Sequence, residues 1–145
     1  MRYFLIAISL VFLSGCANVA AINDSISGYA KVSNQISLGD SKSKVLAILE
    51  PIQAGIEADS KKPSESFIKG GVNHFIYYAR SGRVPDGLVT DDEFTPYSFE
   101  NDSLVAIGWT YLGGTKTQGK PAEPYEPKTT HCYDDGYGGV ICNKY

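Results

Sequence analysis

The chain has 145 residues, of which 43% are hydrophobic and 20% charged, and its formal net charge at pH 7 is −3. Its basic residues form no run longer than the pair Lys61-Lys62, so the composition disfavours binding to nucleic acid and direct docking onto anionic lipid surfaces. This length predicts one domain with a modest core and leaves too few residues for a second.

The first 15 residues have the parts of a secretory signal. Arg2 supplies a positive start, the eleven residues from Tyr3 to Leu13 are apolar, and small residues follow. The apolar run is well short of the roughly 20 residues that a bilayer-crossing helix needs. We therefore predict a signal peptide over residues 1–15. Its removal would leave a mature chain of 130 residues with 12 basic and 16 acidic side chains, a net charge of −4.

The sequence Leu13-Ser14-Gly15-Cys16 resembles the lipobox of bacterial lipoproteins. The resemblance implies that Cys16 is diacylated and becomes the first residue of the mature chain, with palmitate-type acyl chains inserted in membrane lipid. Two or three such chains suffice for stable anchoring. The alternative is a plain signal peptide with an incidental cysteine. Ala17, where Asp would favour retention in the inner membrane, predicts the periplasmic face of the outer membrane.

Two cysteines, Cys132 and Cys142, remain if Cys16 is lipidated. In an oxidising compartment, two cysteines this close in sequence predict a disulfide. The loop is short, so the chain-entropy model assigns the bond about 2–3 kcal/mol. Both lie in residues 113–145, a segment rich in Gly, Pro and Tyr that we predict to be an extended tail with a disulfide loop.

Two stretches before the middle of the chain lack a firm pattern. Residues 16–35 mix small and polar residues around Gly28 and predict a lipidated N-terminus with a tether, which holds at most a short helix. Residues 53–71 contain several Gly and Pro residues and predict a connection with at most one helical turn. We expect Phe67 and Ile68 to fix this connection to the core.

The first firm element between these stretches is a helix. Asp40 or Ser41 is suited to cap its N-terminus, because either side chain can accept a backbone hydrogen bond there. Apolar residues then follow at helical spacing, namely Val45, Ile48 and Leu49. Pro51 predicts the end of the helix, since the residue before a proline is disfavoured in helical conformation.

Three strands are predicted after it. Residues 73–80 are apolar or aromatic on both faces, and residues 95–99 and 104–111 form a hairpin around 100–103. Asn and Asp at its centre tolerate the left-handed conformation of a tight turn. One face of the first hairpin strand carries Tyr97 and Phe99, and one face of the second carries Val105, Ile107, Trp109 and Tyr111.

One longer pattern resembles a known family. It comprises Gly39-x-Ser41-x-x-x-Val45 with Leu49 and Pro51, an aromatic strand, and Phe99-Glu100-Asn101-Asp102-Ser103-Leu104-Val105-x-Ile107-Gly108-Trp109. Over residues 36–112 this resembles the SmpA/OmlA (BamE-like) family of small outer-membrane lipoproteins, or an uncharacterised sister family of the same fold. The resemblance implies an α+β, two-layer domain in which a helical pair packs on a three-stranded antiparallel sheet. It also implies an accessory role in the β-barrel assembly machinery, although the same architecture serves other binding functions, including enzyme inhibition.

Catalytic chemistry finds little support in the sequence. His74 and His131 are the only histidines, and neither lies in a nucleophile–base motif. His74 falls in a predicted strand, and His131 adjoins Cys132. Neither the histidine and cysteines of the tail nor the acidic run at 91–93 has the spacing of a zinc or calcium site. We predict a protein that is not an enzyme and carries no metal or cofactor.

Protein contacts are the remaining class of function. The acidic run Asp91, Asp92 and Glu93 predicts a solvated loop, with a docking surface for a basic partner as the alternative. Trp109 and Tyr97 predict sheet core, with an aromatic anchor for a partner as the alternative. We expect a module that acts through an envelope protein partner in outer-membrane protein assembly or integrity. The alternative is a periplasmic inhibitor or ligand-binding module that uses the open face of the sheet.

Overall fold

A computed structural model describes residues 2–120, 130–134 and 140–144, with side chains for residues 17–120. The protein is α+β: two helices pack on a four-stranded antiparallel sheet in which each strand pairs with the next in sequence. The helices are α1 (Arg2–Val32) and α2 (Lys42–Gln53). The strands are β1 (Glu65–Lys69), β2 (Val72–Arg80), β3 (Phe94–Glu100) and β4 (Ser103–Ile107). A separate hairpin comprises β5 (Thr130–Asp134) and β6 (Val140–Lys144).

Alternation along the strands gives the sheet two differently covered faces. On the helix side the core comprises Ile36, Val45, Leu49, Ala79, Tyr97, Phe99 and Leu104. On the other side a smaller cluster comprises Ile76, Tyr78 and Phe94, with Trp109 and Leu112 packed against it. Among the described residues no helix covers this second cluster, so we call this side the open face.

The predicted helix and hairpin are confirmed. Ser41 caps α2, because its hydroxyl accepts a hydrogen bond from the Lys44 N–H at 3.3 Å. Val45 and Leu49 are fully buried below the helix. In the hairpin between β3 and β4, Asn101 and Asp102 both have positive φ, at 47° and 65°, as a two-residue turn that matches strand twist requires.

Pro51 does not end α2, contrary to the prediction, but lies in its last turn. A proline there removes one N–H donor. The side chain of Gln53 holds this turn against the sheet: its Oε1 accepts from the Arg80 N–H at 3.0 Å, and its Nε2 donates to the Arg80 carbonyl at 3.5 Å. A tertiary contact thus overrides the local preference.

The prediction of a tether with at most a short helix is also wrong. Residues 17–32 belong to α1, and this part of the helix packs on the domain. Ile22 and Ser25 are buried. Gly28 does not interrupt the helix; a Cβ there would lie only 3.1 Å from Cγ2 of Ile52. Glycine costs about 1 kcal/mol within a helix, but here it lets α1 approach α2 closely. In the described part of the chain, no helix is both long and apolar enough to cross a membrane.

The sheet has four strands rather than three, because residues 53–71 contain β1 as well as a short 3₁₀ turn at Ala58–Ser60. Gly70 and Gly71, with φ of 60° and 79°, turn the chain directly back into β2. Phe67 and Ile68 are 43% and 73% exposed. They therefore do not fix this segment to the core.

The structure differs from the sequence-based prediction at two further places, the last strand of the main sheet and the tail. The last strand of the main sheet ends at Ile107, because Gly108 has a φ of 91° and Trp109–Leu112 form a 3₁₀ turn. The tail contains the β5–β6 hairpin, in which Cys132 and Cys142 are opposite each other in the backbone register. The side chains of both cysteines, of His131 and of Cys16 lie outside the described side chains, so the disulfide and the lipidation stay predictions.

The contact at Gly28 generates a stability prediction. Gly28→Val would force branched methyl groups against Ile52, and we expect it to lower the free energy of unfolding by about 1–3 kcal/mol. Ser27→Val, on the exposed side of the same helix turn, should cost about 0.5 kcal/mol or less. Urea unfolding measures both, and adding Ile52→Ala should recover part of the Gly28→Val loss. Equal stability of the two valine variants would contradict the close helix contact.

Candidate functional site

A pocket of about 220 Å³ lies on the open face of the sheet. Its walls come from the connection before β1, from β1 and β2, from the 3₁₀ turn before β3, and from the segment after β4. Its lining residues include Lys62, Glu65, Phe67, Tyr78, Asp91 and Trp109. We call this site the open-face pocket.

Two stacked aromatic rings form one wall. The ring centroids of Tyr78 and Trp109 are 5.6 Å apart, with 27° between the ring planes. The indole Nε1 of Trp109 donates a hydrogen bond to the Phe94 carbonyl at 2.7 Å. This bond fixes the orientation of the indole, whose ring remains only half-buried. A rigid aromatic surface is thereby presented to solvent.

A cation lies above these rings. Lys62 Nζ is 4.9 Å from the Tyr78 ring centroid and 5.9 Å from that of Trp109, and it forms an ion pair with Asp91 Oδ1 at 2.9 Å. The other oxygen of Asp91 accepts backbone hydrogen bonds from Lys116 at 2.8 Å and Thr117 at 3.3 Å. Burial alone would raise the pKa of Asp91, but the hydrogen bonds from Lys62 and the two amides outweigh it and hold the pKa below its usual value. The carboxylate therefore stays charged.

The hydroxyl of Tyr78 adds a polar contact to the pocket. The Tyr78 hydroxyl donates to Glu65 Oε1 at 2.7 Å. Burial, followed by this bond to a carboxylate, raises the pKa of Tyr78 well above its ordinary value. The phenol thus remains a neutral donor. Beside it, Phe67 stacks on His74 with centroids 4.9 Å apart, and His74 Nδ1 is 3.8 Å from Glu100 Oε1.

The acidic run is a structural element rather than a solvated loop. Asp91–Glu93 form a 3₁₀ turn with a capping box, in which Glu93 Oε2 accepts from the Thr90 N–H at 3.2 Å. Asp91 and Glu93 are 5% and 1% exposed, so the expectation of a solvated loop is wrong for both residues. Contact with a partner stays a prediction, and Asp91 lines the open-face pocket. Asp92 is exposed, yet its Oδ1 accepts from the Thr90 hydroxyl at 2.6 Å.

Glu93 forms a buried ion pair with Arg80. Arg80 Nη2 donates to Glu93 Oε1 at 2.9 Å, and the side chains are 3% and 0% exposed. Arg80 Nη1 donates to the Ser60 carbonyl at 2.7 Å, and Glu93 Oε1 also accepts from the Val84 N–H at 2.8 Å. Burial lowers the pKa of Arg80, and the nearby Glu93 opposes that shift.

The remaining aromatic residues divide between core and surface. Tyr97 is 1% exposed and its hydroxyl donates to that of Tyr29 at 3.2 Å, so it cannot contact a partner. Phe99 is also core, and Tyr77 is partly buried; burial, with a smaller effect of Glu50, raises the pKa of Tyr77 to about 12. Tyr111 is half exposed and lies outside the pocket.

Trp109 is the only residue among the predicted partner contacts that combines accessible surface with a place in the aromatic wall. Lys62, Glu65 and Tyr78 were missed. Tyr78 could have been found from strand alternation, which places it on the opposite face of the sheet from Tyr77. Lys62 and Glu65 carry no such signal, because they belong to a segment interpreted as a connection.

The arrangement is suited to binding. An aromatic wall, a neutral hydroxyl and a paired cation suit an inserted apolar or aromatic group with a polar edge. Among the described residues, no three His, Cys, Asp or Glu side chains are grouped as metal ligands would be. Comparison with family models, with curated proteins and with solved structures gave no match for this chain.

The buried ion pair generates a second stability prediction. Glu93→Gln removes the charge that compensates Arg80, and we expect a loss of about 3–5 kcal/mol in the free energy of unfolding, measured in urea. The matched control is Asp102→Asn, which removes the carboxylate of the exposed ion pair with Lys42. The Asp102 side chain is 71% exposed. This substitution should cost about 1 kcal/mol or less. Similar losses in both variants would show that burial adds nothing to the first pair.

Proposed function

We propose that this chain is a lipoprotein anchored through Cys16 in the outer membrane, where it acts on the periplasmic face as a non-enzymatic binding module in envelope or outer-membrane protein assembly. The observation that carries the anchor is the sequence Leu13-Ser14-Gly15-Cys16 directly after an apolar segment. Acyl chains on Cys16 would insert in lipid and leave the α+β domain to contact other proteins.

The position of Cys16 relative to the fold supports a close attachment. Ile22 is already buried in the domain, and it lies six residues after Cys16. In helical conformation six residues span about 9 Å. The domain would therefore stay near the lipid surface, within reach of partners that are themselves embedded in the membrane.

The fold is compatible with the resemblance to the SmpA/OmlA (BamE-like) family, in which helices cover one face of an antiparallel sheet. The fourth strand extends that architecture, and assignment to the family remains part of the proposal. Its partner would then be a subunit of the β-barrel assembly machinery or another envelope protein.

The open-face pocket is the contact surface that we propose. Trp and Tyr are enriched among the residues that dominate binding energy at protein interfaces, and the pocket wall consists of the half-buried Trp109 stacked on the buried Tyr78. The pocket volume of about 220 Å³ is below the roughly 300–1,000 Å³ typical of drug-sized ligands. The size of the open-face pocket therefore favours a side chain of a protein partner over a free small molecule.

Replacing the lipidated residue tests the anchor. We expect Cys16→Ala to abolish incorporation of labelled palmitate and to move the protein out of the membrane fraction, because no acyl chain remains to bind lipid. The comparison is the unaltered chain, expressed at the same level and fractionated in parallel. An unchanged membrane fraction for Cys16→Ala would disprove the acyl anchor.

Replacing the indole tests the contact surface. We expect Trp109→Ala to reduce crosslinked partner recovered from intact cells by about tenfold or more, as loss of an interface anchor does. Tyr111→Ala, which truncates a half-exposed aromatic on the same 3₁₀ turn outside the pocket, should retain the partner. Thermal melts of both variants verify folding. Equal recovery with both variants would contradict the proposed surface, and recovery of a periplasmic hydrolase instead of envelope assembly proteins would favour the inhibitor alternative.

A further inference from the structure

β1 is an edge strand whose outer side is exposed. It pairs with β2 on one side, and all five of its residues are exposed. In the described part of the chain no strand pairs with its other side. Natural proteins usually block such an edge, because free backbone groups can recruit another strand.

The register shows which backbone groups are free. Lys69 and Val72 flank the two-residue turn, and such a turn is closed by a hydrogen-bonded pair. The backbone N–H and C=O groups of Asn73 point away from β1. The carbonyl accepts a hydrogen bond from the Asn101 N–H, and the N–H donates to Asn101 Oδ1. By alternation along the ladder, the N–H and C=O groups of Ser66 and Ile68 point outward from the sheet.

The sequence of β1 is self-complementary around its centre. In an antiparallel pair of β1 strands related by a twofold axis at Phe67, Glu65 lies opposite Lys69 of the second copy. Ser66 then lies opposite Ile68 of the second copy, so that the free N–H and C=O groups of the two strands face each other. A twofold axis at Ser66 or at Ile68 would also pair free backbone groups of the two strands. Neither of these axes, however, places Glu65 opposite Lys69 or includes all five residues in the pairing.

We propose that β1 pairs with β1 of a second copy of this chain, so that two four-stranded sheets become one continuous sheet. Phe67 of each copy meets its equivalent on the open face, where half of its surface is exposed. The dimer would place two open-face pockets side by side on one surface, since β1 contributes Glu65 and Phe67 to each. The pairing is independent of the partner and of the lipid anchor.

Disulfide trapping of the full chain in intact cells tests the register. Phe67→Cys should give a dimer on non-reducing gels, because the two cysteines are directly opposite across a non-hydrogen-bonded position. Ile68→Cys is the matched control: its side chain is more exposed, at 73%, but its equivalents are separated by two residue steps along the strands and exceed the reach of a disulfide. A stronger dimer from Ile68→Cys would indicate random collision and overturn the proposal.

An exchange of charges tests the choice of partner. In the Phe67→Cys background, Lys69→Glu places like charges opposite each other twice per dimer, and the trapped fraction should fall about tenfold. Glu65→Lys should have the same effect, whereas coexpression of the two variants with different tags should restore trapping between them, since every cross-strand pair is again opposite in charge. Failure of the mixture to recover, with both variants folded by circular dichroism, would overturn self-pairing. Trapping of Phe67→Cys to a different protein alone would also overturn it.

Discussion

The ion pair between Arg80 and Glu93 joins the parts of this structure that form its functional surface. Removal of two charges from water costs several kcal/mol for each ion, and hydrogen bonds to the remaining donors and acceptors offset part of this cost. Backbone groups of two connections supply these bonds, the Ser60 carbonyl before β1 and the Val84 and Thr90 N–H groups between β2 and β3, whereas Arg80 Nε has no hydrogen-bond partner among the described residues. Through its own backbone Arg80 is also bonded to the Gln53 side chain. One buried pair thus fixes the end of α2, the end of β2 and both connections beside the open face.

The position of the open-face pocket follows from this arrangement. Glu93 closes the 3₁₀ turn, and that turn directs Asp91 toward the pocket. Asp91 in turn holds Lys62 above the stacked rings of Tyr78 and Trp109. A charge buried for structural reasons therefore places the lysine and the rings that we propose for binding. Damage to the ion pair should disturb the pocket even though neither partner of the pair lines it.

The elements that the sequence predicted are those specified by local patterns. The apolar spacing of α2 and the Asn101-Asp102 turn involve residues within a few positions of each other, and both are confirmed. β1 was missed because an edge strand exposed on both faces has no burial pattern to reveal it. The helix through Gly28, and the burial of Glu93, depend on residues far away in sequence, which no local window includes. For the site, Trp109 was found by residue type alone, whereas Lys62, Glu65 and Phe67 come from the missed segment.

The fourth strand changes what the open face can bind. Without β1 the pocket would lose Glu65 and Phe67, and the Tyr78 hydroxyl would lose its acceptor. With β1 in place, the charged residues of the lining are Lys62, Glu65, Asp91 and Lys116, two of each sign. Their fields largely cancel at short range, so a partner gains little from net charge. Recognition would then depend on how well an inserted side chain fits the two rings and the neutral phenol, which places specificity in shape and in one hydrogen bond rather than in electrostatic attraction.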